Sequence, residues 1–319
     1  MMKKADMAKS VLLGVAIGDA LGVPVEFSWR HALKDDPVIG MRAYGTWGQP
    51  AGVWSDDTSM TVATMDSIAR LQEVNYDDIM KNFVRWAEDG EYTVNGLFDI
   101  GNTTHRAIRR YKGQSPLTCG LTDIKSNGNG SLMRVAPFGL YIYSMYGVDW
   151  SDEAFCLAHN ASRLTHGHEI SQMSCGVYCL LISHLLNGEE KGEAYRRTIK
   201  QAGDYYGNNE RYAKYWEKDF ARLRDCNGFI ELPENEIESS GYVMDSLEAA
   251  VWSFFQGTNY LSTVLTAVNL GRDTDTIGAI TGGLAGAYYG YKDIPSSWLK
   301  TLKRRGYLED LAQWFSEAL

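Results

Sequence analysis

A basic stripe is what this 319-residue chain most plainly lacks. Its formal charge is −9, which argues against a nucleic-acid backbone as the main partner. Runs alternating apolar and polar residues between turns are nearly absent, so strands are not expected. No Pro- or Ser-rich linker and no internal repeat divides the chain, which points to one domain over 1–319. The five cysteines, Cys119, Cys156, Cys175, Cys179 and Cys226, are odd in number. Cys175 and Cys179 share a helix face, but no second pair completes a zinc site, so buried reduced thiols are expected. Lys3 and Lys4 before VLLGVAI imitate a secretory signal, yet Asp6 precedes that short run and Asp19 follows it. No run approaches the ~20 apolar residues of a membrane span. The expectations are no membrane partner and a cytoplasmic location.

What is present is ordinary for a globular protein: 45% hydrophobic and 22% charged residues. Its organising stretch is Gly271-Arg272-Asp273-Thr274-Asp275-Thr276, which runs into IGAITGGLAGAYYG. Five glycines in that run would cost an exposed helix about 1 kcal/mol each against alanine. They suit a buried central helix whose neighbours approach closely, with Asp275 or Thr276 as its N-cap. A second cluster of the same kind, Ser55-Asp56-Asp57-Thr58, precedes an amphipathic helix over 59–71. Each acidic pair could simply cap its helix and complement the dipole. Two such clusters of hard oxygen donors also suit Mg²⁺, Mn²⁺ or Ca²⁺ rather than zinc. The fold predicted is all-α, a single compact multi-helix domain around the glycine-rich hub.

Other stretches carry weaker signals. Residues 8–22 read as a helix whose apolar face includes Leu12, Val15 and Asp19, so Asp19 should be buried against a cation or several donors. Helices are expected over 76–88, 103–112, 151–163 and 168–187. Between the first two lies FDIGNTT, where Asp99 precedes a Gly-Asn turn. Asn127-Gly128-Asn129-Gly130-Ser131 runs into LMRVAPFGLYIY, a glycine turn at a helix start that could cradle an anion, with Arg134 free to pair with a phosphate or an acidic loop. His166-Gly167-His168 has no third ligand nearby and reads as loop and cap residues. The polar, tyrosine-rich residues 187–239 read as exposed helices.

Seven motifs in order resemble the ADP-ribosylglycohydrolase family: GDALGVPVE at 18–26, WSDDTSM at 54–60, FDIGNTT at 98–104, NGNGSLMRVAP at 127–137, LTH at 164–166, SGYVMDSLEAAVWSF at 240–254 and GRDTDTIGAITGGLAGAYYG at 271–290. The resemblance implies a hydrolase that removes ADP-ribose from a modified protein side chain. It implies two divalent cations, Mg²⁺ or Mn²⁺, on Ser55, Asp56, Asp57, Asp273, Asp275 and Thr276. Glu26 and Asp99 become the acid–base candidates, Asn129, Gly130 and Ser131 the diphosphate cradle, and His166 a ligand-pocket residue. Arg272 departs from the small or acidic residue of many members and is expected beside the metal site. The implied partners are an ADP-ribosylated protein as substrate and ADP-ribose as product, with ADP-ribosyl-arginine the favoured linkage. Alternatives are an O-linked (serine or small-molecule) ADP-ribosyl hydrolase, or a catalytically silent binding member. A helical prenyl-diphosphate enzyme would need an acid where Met60 stands.

Overall fold

Two rows of glycine, one on each of two helices, hold the centre of the molecule together. In the computed structural model, which describes residues 3–319, the N-terminal helix Lys4–Gly22 lies along the hub helix Thr274–Tyr289. A Cβ on Gly18 would fall 1.9 Å from the Gly278 carbonyl oxygen, and one on Gly14 would fall 2.2 Å from that of Gly282. A Cβ on Gly286 would meet the Ser10 carbonyl at 2.1 Å. Spacing of four residues keeps each row on one helix face, so the backbones touch where side chains would separate them. Tyrosine hydroxyls tie in further elements: Tyr260 donates to the Gly14 carbonyl at 2.8 Å, and Tyr178 to that of Ile280 at 2.9 Å.

Around this pair the described residues form helices and loops, with three isolated bridges and no strand, as the all-α expectation requires. Helix Asp56–Leu71 is started by Ser55, whose hydroxyl accepts from the Asp57 amide. Buried Asp19 holds that start in place. Its carboxylate accepts from the amides of Ser55 and Thr58 and from the Thr58 hydroxyl at 2.6–3.1 Å. Local donors, the plainer of the two expectations, therefore satisfy Asp19. The C-terminal helix Arg305–Ala318 packs across both Lys4–Gly22 and Asp56–Leu71.

Several expectations need correction. Asp275 and Thr276 lie inside the first turn of the hub helix; Asp273 is the N-cap residue and makes no side-chain cap. The helix after the glycine turn begins only at Ala136, so its dipole does not start at Gly130. Instead the turn pairs with the 241–243 segment, the Asn129 amide donating to the Gly241 carbonyl and the Val243 amide to that of Asn127. Residues 187–239 are less exposed than expected, because Tyr206, Trp216 and Phe220 are buried in an aromatic cluster and Tyr195 is buried against Phe229 and Phe255. Cys156 is exposed and Cys226 half-buried, while Cys119, Cys175 and Cys179 are buried thiols. By length and composition Asp6–Val25 could cross a membrane, although 94% of its apolar window is buried within the fold.

Candidate active site

The glycine contacts end where the acidic groups begin. Gly22 closes the N-terminal helix against the backbone of Asp275, with 2.3 Å to the Asp275 Cα from a would-be Cβ. That contact sets the Val23–Val25 turn and Glu26 beside the first turn of the hub helix. Glu26 is nearly buried and its Oε2 accepts from the Trp47 indole N–H. Trp47 also packs on Phe27 and Phe98, at ring-centroid distances of 6.1 and 5.6 Å. One side chain thus braces the Glu26 loop against the Asp99 loop. Phe27 and Asp99 both adopt left-handed backbone, φ 65° and 50°, which costs a non-glycine residue free energy and turns the chain sharply at each loop.

Glu26, Asp99 and Asp275 each bring a carboxylate oxygen within 4.8 Å of the other two. Asp57 lies beneath them, its Oδ2 accepting from Ser55 Oγ at 3.0 Å and from Thr276 Oγ1 at 3.3 Å. Asp275 Oδ1 accepts from the Thr276 amide at 2.9 Å, and Asp273 Oδ2 from Asn129 Nδ2 at 2.7 Å. Asp57 Oδ1 and Asp275 Oδ2 are buried and have no donor among the described residues.

So many acids in one dry place resist ionisation. Burial, then Asp99 and other acids, raise Glu26 to about 9. Burial, then Asp273 and Asp19, raise Asp99 to about 7. Asp56, Asp57 and Asp275 are pushed well above the usual range by burial and by one another's charge, and Asp273 is raised by burial. Burial likewise lifts Asp19 to about 6, against the donors it accepts from. Orphaned carboxylate oxygens amid mutually repelling acids, with hydroxyls close by and no cysteine among the residues lining the cleft, fit hard divalent cations.

Glu26, Asp56, Asp99 and Asp273 line a cleft of about 270 Å³, which Thr104, Gly128–Gly130 and His166 also border. A larger open cavity of about 880 Å³ near Arg70 holds an acid, Asp78, already bonded to Arg70 and Ser67. Of the residues read from sequence, Glu26, Asp56, Asp99, Asn129, Gly130, His166, Asp273 and Thr276 border the cleft. Asp57 and Asp275 lie fully buried beneath it. Ser131 is also fully buried, its hydroxyl 3.0 Å from Ser162 Oγ behind the wall. His168 caps helix Glu169–Leu186, its Nδ1 accepting from the Ile170 amide, as a loop-and-cap role requires.

Two arginines differ from expectation. Arg134 pairs with neither a phosphate nor an acidic loop; it is wholly buried and donates to the Ala161 carbonyl and to Thr165 Oγ1. Arg272 joins the site through its backbone, bonding Phe27 and Ser28. Its side chain turns outward to Glu238 at 3.1 Å and over the Trp29 ring at 5.5 Å. Sequence reasoning missed Trp47, which stands in a loop with no motif around it, and Thr104, which lay in view within FDIGNTT.

The ADP-ribosylglycohydrolase family model matches residues 2–319. The chain belongs to the ADP-ribosylglycohydrolase family. Its members are glycosidase-type hydrolases, and this chain is one. It is 32% identical to "ADP-ribosylarginine hydrolase Tri1" of Serratia proteamaculans, over 97% of this chain and 78% of the relative. It is 30% identical to "ADP-ribosyl-[dinitrogen reductase] glycohydrolase" of Rhodospirillum rubrum, over 93% of this chain and 90% of that protein. The solved structure of an "ADP-ribosylglycohydrolase-related protein complex" superposes with a TM-score of 0.79 at 30% identity, covering 100% of this chain and 99% of the other. The family seen in the seven motifs is the family found, and the activity it supports is ADP-ribosyl hydrolysis.

Proposed function

We propose that the protein removes ADP-ribose from arginine side chains of modified proteins, with two divalent cations, Mg²⁺ or Mn²⁺, in the acidic cleft. The observation that carries this reading is the gathering of Glu26, Asp56, Asp57, Asp99, Asp273 and Asp275 at one cleft with two orphaned buried oxygens. The activities named for the Serratia and Rhodospirillum relatives support the substrate class, and the former supports arginine.

In the reaction the bond from the anomeric carbon to the guanidine nitrogen breaks and a bond to a water oxygen forms. The proton given up by water goes to the departing guanidine, leaving ADP-ribose and free arginine. Breakage passes through an oxocarbenium-like state. Ser55, Asp56, Asp57, Asp273, Asp275 and Thr276 would hold the cations, which supply Lewis acidity to water and to ribose hydroxyls. Glu26 and Asp99 are the proton carriers, two adjacent carboxyls whose environments favour keeping a proton near neutral pH. An ionised Asp99 also orients a cationic, planar guanidinium by charge-assisted bonds, help that an O-linked serine cannot receive. Gly130 leaves room for the ADP-ribosyl group, since a Cβ there would lie 2.8 Å from Thr104 Oγ1 and 3.0 Å from His166 Cε1.

Peptides ADP-ribosylated on different acceptors but otherwise identical test the reading, each assayed with Mg²⁺ and with Mn²⁺. Release from arginine is expected. Robust serine-linked turnover without arginine-linked turnover would overturn it.

A further inference from the structure

An arginine buried without an anion constrains whatever it touches. Arg134 is fully buried, packs over the Phe83 ring at 4.8 Å, and leaves Nε and Nη1 without partners. Its Nη2 donates to the Ala161 carbonyl at 3.0 Å and to Thr165 Oγ1 at 2.7 Å. Thr165 Oγ1 in turn lies 2.9 Å from His166 Nδ1. Both residues are buried, and the His166 backbone is clamped at both ends. Its amide donates to the Ser162 carbonyl and its carbonyl accepts from Ser162 Oγ, each at 2.8 Å.

Donor–acceptor logic then fixes the ring. A guanidinium can only donate, so the Thr165 oxygen accepts from Arg134. The single hydroxyl hydrogen of Thr165 has His166 Nδ1 as its acceptor among the described residues. A hydrogen on Nδ1 would strand that buried hydroxyl hydrogen, a loss native structures avoid. Nδ1 is therefore bare and Nε2 carries the hydrogen. The Nε2 edge lies along the cleft wall, 3.5 Å from a would-be Cβ of Gly128 and 3.6 Å from that of Gly130. Burial and the Arg134 charge push the imidazole down to about 3, so the ring stays neutral.

We propose that Arg134 and Thr165 are positioning residues that fix His166 as the neutral Nε2–H tautomer, giving the cleft an uncharged donor for an oxygen of the bound ADP-ribosyl group. The tautomer stands on the geometry alone; the identity of the acceptor rests on the proposed function. An uncharged donor can bind an oxygen without drawing the carboxylates opposite into an ion pair, as an imidazolium would.

Nitrogen-15 NMR of the imidazoles in the ligand-free protein tests the first part without any substrate. His166 should show a bare Nδ1 and a protonated Nε2 at neutral pH; a protonated Nδ1 would overturn the proposal whatever the enzyme hydrolyses. Adding ADP-ribose should shift the Nε2–H resonance, and binding without that shift would overturn the second part alone. Thr165→Val should mix the tautomers and weaken ADP-ribose binding about tenfold, with Thr165→Ser restoring both. A purely structural role for Thr165 would instead leave the Thr165→Val tautomer unmixed, and that outcome counts against the relay. The wild-type spectrum decides the tautomer even if Thr165→Val fails to fold.

Discussion

Loading the acidic cleft with Mg²⁺ should expel protons, and the number can be worked from the site. Without a cation, Asp56, Asp57 and Asp275 are held well above the ordinary carboxylate range. Cations bind the ionised form, so each such proton must leave on binding. One released proton changes the binding free energy by about 1.4 kcal/mol per pH unit. Between pH 6.5 and 8.5 that is about 2.7 kcal/mol, or roughly a hundredfold in affinity. The sign for folding is the reverse. These carboxyls ionise near pH 4 when unfolded, and their native values are raised. The metal-free fold therefore has their contribution in full below about pH 4 and loses it progressively as pH rises above that toward their raised native values. His159 and His166, both lowered to about 3 by burial, act oppositely but only below about pH 6.5. Distant groups such as Lys191, lowered to about 8, cancel between the loaded and empty forms. Titration calorimetry in buffers of different ionisation heat counts the protons, and melting with and without Mg²⁺ follows the stability. Mg²⁺ affinity flat from pH 6.5 to 8.5, with no proton released, would refute the reasoning.

Trp47→Phe keeps the ring contacts to Phe27 and Phe98 but removes the donor to Glu26. Turnover should fall about tenfold, as for leaving a buried acceptor without its donor, with KM little changed; steady-state kinetics on an arginine-linked substrate would show it. Gly18→Ala drives a Cβ to within 1.9 Å of the Gly278 carbonyl. The two central helices must move apart, costing about 3 kcal/mol, and a melting temperature within a degree of wild type would contradict the close-packed pair.

How much of this was legible in the chain divides along a physical line. Local signals spoke clearly: Ser55 before two aspartates gave a helix start, and the glycine run over 278–290 gave a buried hub. The motif order gave the family. Signals that depend on distant partners did not speak. Gly14 and Gly18 look like ordinary residues of an apolar helix until the hub helix lies against them. Arg134 sits two residues before the next helix, and a charged side chain there reads as exposed; only tertiary packing buries it. Trp47 belongs to a loop whose role appears once Glu26 and Phe98 are side by side. Asp275 and Thr276 fall inside the first turn because helical backbone already begins at Thr274, while the Asp273 carboxylate at the cap position is engaged by Asn129.

The glycine pairing also dictates when the enzyme can come into being on the ribosome. Gly18 and Gly278 meet in space but are synthesised far apart. At bacterial-like elongation rates the hub helix emerges roughly 15–50 s after the helix it must touch. Throughout that interval the Lys4–Gly22 face that meets the hub helix has no permanent cover, and Glu26 lacks Asp275 beside it. Catalytic competence is thus a late event in translation. A nascent chain stalled before residue 274 should bind chaperones and leave ADP-ribosylated protein untouched.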